Sequence, residues 1–237
     1  MVRGSPTYRR LSFLLAAQRH QVTIWLYVFI SFAFGAVFGR FLGVGIDRFR
    51  AMQYQNRGEV LVSRALQANF TSPDYHLLNH VTIRLSDGTT QIDHILVSRF
   101  GVYVIETKDY NGWLFASEKQ RFWLQVFFDQ QFRFQNPLLQ NFRHVVAVRE
   151  LLDFLPPECI RSAVVFTGNA EFKTEVPEGV YDLLGLIDYL RQQTQEVMSL
   201  NRMQFCVGRL EAMRLAISGA TDVEHIQSLE RRYGDAV

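Results

Sequence analysis

Asp93, Glu106 and Lys108 are the residues of this sequence whose types and spacing suit metal and acid–base chemistry. Glu106 and Lys108 lie two apart in the run GVYVIETK, so a strand there sends both to one face, in line with Val102 and Val104. A reversal with Arg99 and Phe100 as the two loop residues places Asp93 directly opposite Glu106 on the neighbouring strand, provided no bulge at Gly101 breaks the register. Two carboxylates interrupting apolar strands are costly to bury unless a cation or a proton neutralises them. Hard oxygen donors suit Mg²⁺ or Mn²⁺, which keep several waters and reach phosphate oxygens. Such an ion polarises a phosphate and activates water. Lys108 would hold the attacking water or stabilise charge developing on the phosphorus-bound oxygens. The same residues also admit a plainer reading. Glu106 with Lys108, or Asp93 with an arginine, would be a structural ion pair on a solvated sheet face, and spacing alone does not separate the two.

The elements that must position these groups are legible from periodicity. Val62, Ala65, Leu66 and Phe70 have helical spacing over about 58–70, and Glu59, three before Val62, faces inward with them. YHLLNHVTIRL (75–85), the turn Ser86-Asp87-Gly88, TQIDHILVS (90–98) and GVYVIETK (101–108) are short, β-branched and bounded by turn residues, which predicts an antiparallel meander. Aromatic-rich stretches around Trp113, Trp123 and Phe132 predict further short strands ending at Asn136-Pro137. Pro137 opens a helix that runs until Pro156 and Pro157 stop it, with Gln140, His144, Ala147 and Leu151 on the face turned toward the sheet. RSAVVFTG (161–168) is a buried strand, and helices near 180–192 and 198–217 complete the chain. The order predicts a mixed α/β sandwich with one central sheet flanked by helices. By strand parity His94 faces away from Asp93 and packs or bonds. His144 is a structural histidine on this reading. Trp113, Phe115, Phe122 and Trp123 are expected in the core, with base stacking the competing use, and Lys119, Arg121, Arg133 and Arg143 are either phosphate contacts or a solvated rim.

The segments GEVLVSRAL, QIDHILVSRFGVYVIETKDYNGW and NPLLQ together resemble the nuclease-related domain (NERD) family, itself similar to the PD-(D/E)XK restriction-endonuclease-like nucleases. The resemblance covers roughly 56–168. It rests on a helix-borne Gly-Glu, an Ile-Asp, an Ile-Glu-x-Lys, a Tyr-x-Gly and an Asn-Pro-x-x-Gln. It implies a restriction-endonuclease-like α/β fold, Asp93 and Glu106 as metal ligands for Mg²⁺ or Mn²⁺, Lys108 as catalytic lysine, and Glu59 and Gln140 completing the site. It also implies nucleic acid as partner, DNA ahead of RNA. The proline-aspartate of the wider superfamily is missing, since Gln91 and Ile92 precede Asp93. A binding module that keeps the fold without catalysis is the competing function.

Composition sets the frame for these residues. With 25 basic and 23 acidic side chains and a net charge of +2, no global field points to a polyanion, so any basic surface is local. Cys159 and Cys206 stand far apart, outside any metal-ligand spacing. VTIWLYVFISFAFGAVFG (22–39) has no charged residue and, at about 1.5 Å per residue, is long enough to span a bilayer. A cleaved signal peptide and an apolar core helix are the alternatives; no small-x-small cleavage site follows. The expected organisation is a tail (1–21), a transmembrane helix (22–39), a juxtamembrane linker (40–55), a nuclease-related domain (56–168) and a C-terminal helical extension (169–237). The expected location is the cell membrane, single-pass, with the globular part in the cytosol. Basic residues flank the run evenly, so charge does not orient it. Gly35, Gly39 and Gly43 have a small-xxx-small spacing, which adds a homodimer to the lipid bilayer as an expected partner.

Overall fold

The computed structural model describes residues 56–233. The apolar run 22–39, with the tail before it and the linker after it, lies outside them, and among the described residues no helix is long and apolar enough to cross a membrane.

Helix α1 (Arg57–Asn69) leads into the meander of β1 (Tyr75–Leu85), β2 (Gly88–Ser98) and β3 (Gly101–Lys108). β4 (Gly112–Phe115), β5 (Phe122–Phe127) and β6 (Gln130–Gln135) follow, then helix α2 (Pro137–Leu151), a single 3-10 turn and β7 (Ile160–Phe166). β8 (Ala170–Phe172) and β9 (Val180–Asp182) precede helices α3 (Leu183–Arg191), α4 (Leu200–Met213) and α5 (Gly219–Tyr233).

The single predicted sheet is two. Five strands form the central sheet in the order β1-β2-β3-β7-β9, and four form a second in the order β6-β5-β4-β8. β1, β2 and β3 are antiparallel, whereas β3 with β7 and β7 with β9 are parallel, so the central sheet is mixed. What divides the strands is the turn after Lys108. Gly112 takes φ +85°, and a Cβ there would lie 2.4 Å from the Val126 carbonyl oxygen, so only glycine lets β4 leave the first sheet and pair closely with β5. Gly168 serves the same corner: a Cβ would fall 1.9 Å from the Tyr110 carbonyl oxygen.

Strand parity divides the core. Val102 and Val104 of β3 join Ile95 and Val97 of β2 under α2 and α4, against Val145, Val148, Met203 and Leu210. Tyr103 and Ile105 point the other way, to Val62 and Leu66 of α1 and Leu186 and Leu190 of α3. Seven of the eight β3 residues are buried, as a strand covered on both faces requires. The second sheet lays Leu114 and Trp123 on Val164, Phe166 and Val180.

Beyond β7 the chain departs from the helices predicted there. Val180–Asp182 pairs with β7 as a strand, and the helix starts one residue later, capped by Asp182, whose Oδ1 accepts from the Gly185 amide at 2.6 Å. α4 stops at Met213, after which Arg214 bridges to Ile83 and the Leu215 amide donates to the Thr82 carbonyl at 2.8 Å. α5 was not anticipated. It lies along the β1–β2 hairpin, where Ser228 Oγ accepts from the Thr89 amide at 3.1 Å and Arg84 pairs with Glu224 at 2.8 Å.

Candidate functional site

The hairpin register is the one the Arg99-Phe100 reversal predicts, running from Ser98 opposite Gly101 to His94 opposite Ile105, and there the ladder ends. One step further the Thr107 amide donates not to a backbone carbonyl but to Asp93 Oδ2, at 2.8 Å. On the other side of β2, Asn79 pairs with His94 and Val81 with Ile92, while His80, between them, is skipped. His80 has φ +52°, a left-handed conformation that costs a β-carbon residue about 1–3 kcal/mol. Asp93 thus sits where both neighbouring ladders open, which frees its carboxylate to turn toward the end of β3.

There it meets the chemistry of that strand. Lys108 Nζ donates to Glu106 Oε1 at 2.6 Å and to Gln140 Oε1, on the first turn of α2, at 3.0 Å. His144, one turn along α2, holds Nε2 3.2 Å from Glu106 Oε2, inside ion-pair range although neither atom closes a hydrogen bond. Its Nδ1 is fixed by Thr90 Oγ1 at 2.7 Å. α2 is aimed at the sheet by two asparagines. Asn136 caps it, its Oδ1 accepting from the Leu138 amide, while its Nδ2 reaches the carbonyls of Ser117, Glu118 and Gln120. Asn141 Nδ2 donates to the carbonyls of Val104 and Ala163 at 2.9 and 3.1 Å, which ties the helix to β3 and β7.

Glu59 reaches the cluster from the opposite face, at the first turn of α1. Asn56 caps that turn reciprocally: its Oδ1 accepts from the Glu59 amide at 3.1 Å, and its Nδ2 donates to Glu59 Oε1 at 2.5 Å. Glu59 Oε2 is buried without a partner. Gly58 beside it lets the helix end seat against the sheet, since a Cβ would meet Thr167 Oγ1 at 2.5 Å and Asp109 Cβ at 2.9 Å.

The charges divide unequally. Burial would raise Glu106, but the Lys108 ammonium and His144 outweigh it and hold its carboxyl below the usual value. Burial likewise opposes the Lys108 charge, yet Glu106 keeps its pKa above normal. Asp93 is pushed well up, first by burial and then by the Glu106 and Glu59 charges. Glu59 rises to about 7, chiefly by burial, with Glu106 adding to it. One ionised carboxylate, paired with a lysine, therefore sits beside two carboxyls inclined to keep their protons. Among the described residues no three histidine, cysteine or acidic side chains are close enough together to hold a metal ion by themselves.

The structure brings Asp93, Glu106, Lys108 and Gln140 together and sets Glu59 within electrostatic reach. Thr90 and His80 carry no sequence signal, because their roles depend on helix–sheet packing and on a backbone irregularity. His144, expected as structural, turns its ring to Glu106. Asn56 carried a signal, the Asn-x-x-Glu spacing of a capping box. His94 does face away from Asp93: it is fully buried, its Nδ1 lies 2.7 Å from Asn79 Oδ1, and burial lowers its pKa to about 3. Of the four aromatics expected in the core, Trp123 is buried, whereas Trp113 and Phe115 are 51 % and 37 % exposed and Phe122 is half-buried. Leu114 and Trp123 take the inner face of that sheet, which leaves the outer face to the others.

Comparison with known proteins agrees with the part of the chain that carries this cluster. Residues 54–167 match the model of the nuclease-related domain. An uncharacterised protein of Bacillus anthracis is 43% identical over 107 residues, a match that covers 45% of this chain and 50% of that protein. The chain thus spans about half the length of the curated relative it matches. Asp93, Glu106, Lys108, Gln140 and Glu59 all fall inside the segment 54–167, the part of the chain that is similar to the nuclease-related domain.

Proposed function

We propose that this chain is a membrane-attached phosphodiesterase whose site at Asp93, Glu106, Lys108, Gln140 and Glu59 hydrolyses nucleic acid, DNA ahead of RNA, with Mg²⁺ or Mn²⁺ held by Asp93 and Glu106. The observation that carries the reading is the convergence of two carboxylates from adjacent strands with a protonated lysine, at the point where the sheet's hydrogen-bond ladders open. A mixed sheet between helices, with a Glu-x-Lys strand in its centre, is the reason for placing the domain among restriction-endonuclease-like folds.

The donor set fits a hard divalent cation. Lys108 occupies Glu106 Oε1, while Oε2, which lies 3.2 Å from His144 Nε2 without closing a hydrogen bond, is the oxygen an ion would take, and Asp93 keeps an oxygen beyond the one that Thr107 engages. Two protein carboxylates with water and phosphate oxygens in the remaining positions are what Mg²⁺ accepts. Bound there, the ion supplies Lewis-acid polarisation of the scissile phosphate. Lys108, held charged by Glu106 and oriented by Gln140, stabilises the negative charge that grows on the phosphorus-bound oxygens. Glu59 is a carboxyl with a pKa of about 7 and suits proton exchange with a nearby water. His144 orients Glu106.

The test is cleavage of plasmid and single-stranded substrates by the full-length chain with Mg²⁺ or Mn²⁺, beside Asp93→Ala. Loss of at least about a hundredfold in the variant is expected, as for removal of a group that stabilises transition-state charge. Equal activity in the two proteins, or none in either, overturns the assignment. The membrane attachment rests on the apolar run 22–39.

A further inference from the structure

The outer face of the second sheet sets exposed aromatic rings beside cationic side chains. Parity along β4 sends Leu114 inward and Trp113 and Phe115 outward, and the register with β5 and β6 adds Phe122 and Arg133 to that outer side. An apolar sheet face is ordinarily covered. Here Trp113 is half exposed, and the guanidinium carbons of Arg121 and Arg133 stand 5.4 and 4.9 Å from the centroid of the one Phe122 ring. Neither arginine has a carboxylate partner among the described residues, whereas Lys173, over Trp113, is paired with Glu171. A cavity of about 770 Å³ opens between these groups, lined by Phe115, Arg121, Phe122, Arg133 and Thr174 among others.

We infer that this face binds a single strand of nucleic acid, with bases stacked on Trp113, Phe115 and Phe122 and phosphates met by Arg121 and Arg133. Two guanidiniums on one ring, both lacking a counter-charge, form a local excess of positive charge that a polyanion neutralises. Flat rings beside them offer the sequence-tolerant stacking that unpaired bases make and that paired bases in a duplex withhold. The face is connected to the proposed site along the chain. β4 follows the strand that carries Lys108, and β6 runs through Asn136 into the helix that carries Gln140. The inference rests on the nuclease reading for its purpose but not for its binding.

Fluorescence anisotropy of a labelled oligothymidylate with the full-length chain in EDTA measures binding with cleavage silenced. We expect Arg121→Glu/Arg133→Glu to weaken binding at least tenfold and to flatten the slope of log K against log salt by about 1.4, two contacts at about 0.7 each. Trp113→Ala/Phe115→Ala should weaken it by about fivefold or more while leaving that slope unchanged. Duplex of the same length should compete at least tenfold less well than single strand. The inference is overturned if the wild type does not bind, if duplex or polyglutamate competes as well as single strand, or if both double variants bind like wild type. All of these side chains are solvent-facing, and unaltered thermal unfolding of each variant establishes that lost binding is not lost folding. Undiminished Asp93→Ala cleavage would remove the nuclease reading and leave this binding face standing; unaltered binding in the double variants would do the reverse.

Discussion

At the scale of single residues, the site is a problem in proton distribution. Three carboxyls and one ammonium share a buried region, and only Glu106 is held firmly ionised. Glu59, with a pKa of about 7 in the folded chain against 4.5 ordinarily, stabilises the fold fully below about pH 4.5, and that contribution is lost as pH rises through 7. His94 acts in the opposite sense. Its pKa of about 3 makes the fold lose stability as pH falls below 6.5, so the informative comparison is between wild type and Glu59→Gln and not between two pH values of one protein. In chelator, urea midpoints at pH 5 and pH 8 should show the wild type losing more stability, or gaining less, over that interval than Glu59→Gln. Adding Mg²⁺ at pH 8 should raise the wild-type midpoint, because a cation relieves the repulsion among the carboxylates. A difference between the two proteins that is the same at both pH values sinks this account. Much of this was readable beforehand: the alternation of two fixed the common face of Glu106 and Lys108, and a two-residue turn fixed Asp93 relative to them. The protonation pattern was not, because it depends on how deeply α1 and α2 bury those groups and on the approach of His144.

Elements are held to one another at a few close contacts, and the glycines there separate local from tertiary effects. Gly168→Ala would drive a methyl into the Tyr110 backbone at 1.9 Å, which no side-chain rotation relieves, so a loss of several kcal/mol is expected, the upper range for a point substitution. Gly58→Ala meets the Thr167 hydroxyl at 2.5 Å and displaces the start of α1, so we expect a smaller cost in stability accompanied by reduced cleavage, because Glu59 moves with it. Gly208, inside α4, has nothing within 4 Å of its would-be Cβ, and Gly208→Ala should add about 1 kcal/mol by helix propensity alone. Chemical denaturation of the three variants checks the order, and a destabilised Gly208→Ala protein contradicts it. The helix starts and the β-meander were legible because caps, prolines and period-two patterns are local. That β4, β5, β6 and β8 form a sheet of their own was not, since the decision is made by the left-handed Gly112 and a corner at Gly168 whose contact is with Tyr110, far along the chain. β9 was missed because three residues are too few to show a period.

On the scale of the whole molecule, the proposed membrane attachment rests on the run 22–39, and the even distribution of arginines around it leaves the side undecided. A nucleic-acid substrate requires the cytosolic side. Protease added to intact cells should therefore leave the C-terminal part uncut, and digest it only after the membrane is permeabilised; digestion in intact cells contradicts the proposed arrangement. The C-terminal stretch, which carried no chemical motif, proves to be built into the rest of the described structure. β8 and β9 each complete a sheet, and Asp222 of α5 lies 3.3 Å from the ring of His80, the residue whose left-handed backbone opens the ladder beside Asp93.

The parallel pairing of β3 with β7 carries a further consequence. Glu106 lies against Val164 and Lys108 against Phe166, yet three of the four strands of the second sheet and α2 are threaded between those partners in the chain. Contacts so distant in sequence are entropically expensive to close and form late during folding. A nascent chain can therefore close the local β2–β3 hairpin early, whereas the burial that β7 and α2 give the Glu106–Lys108 pair comes only once those later elements have docked.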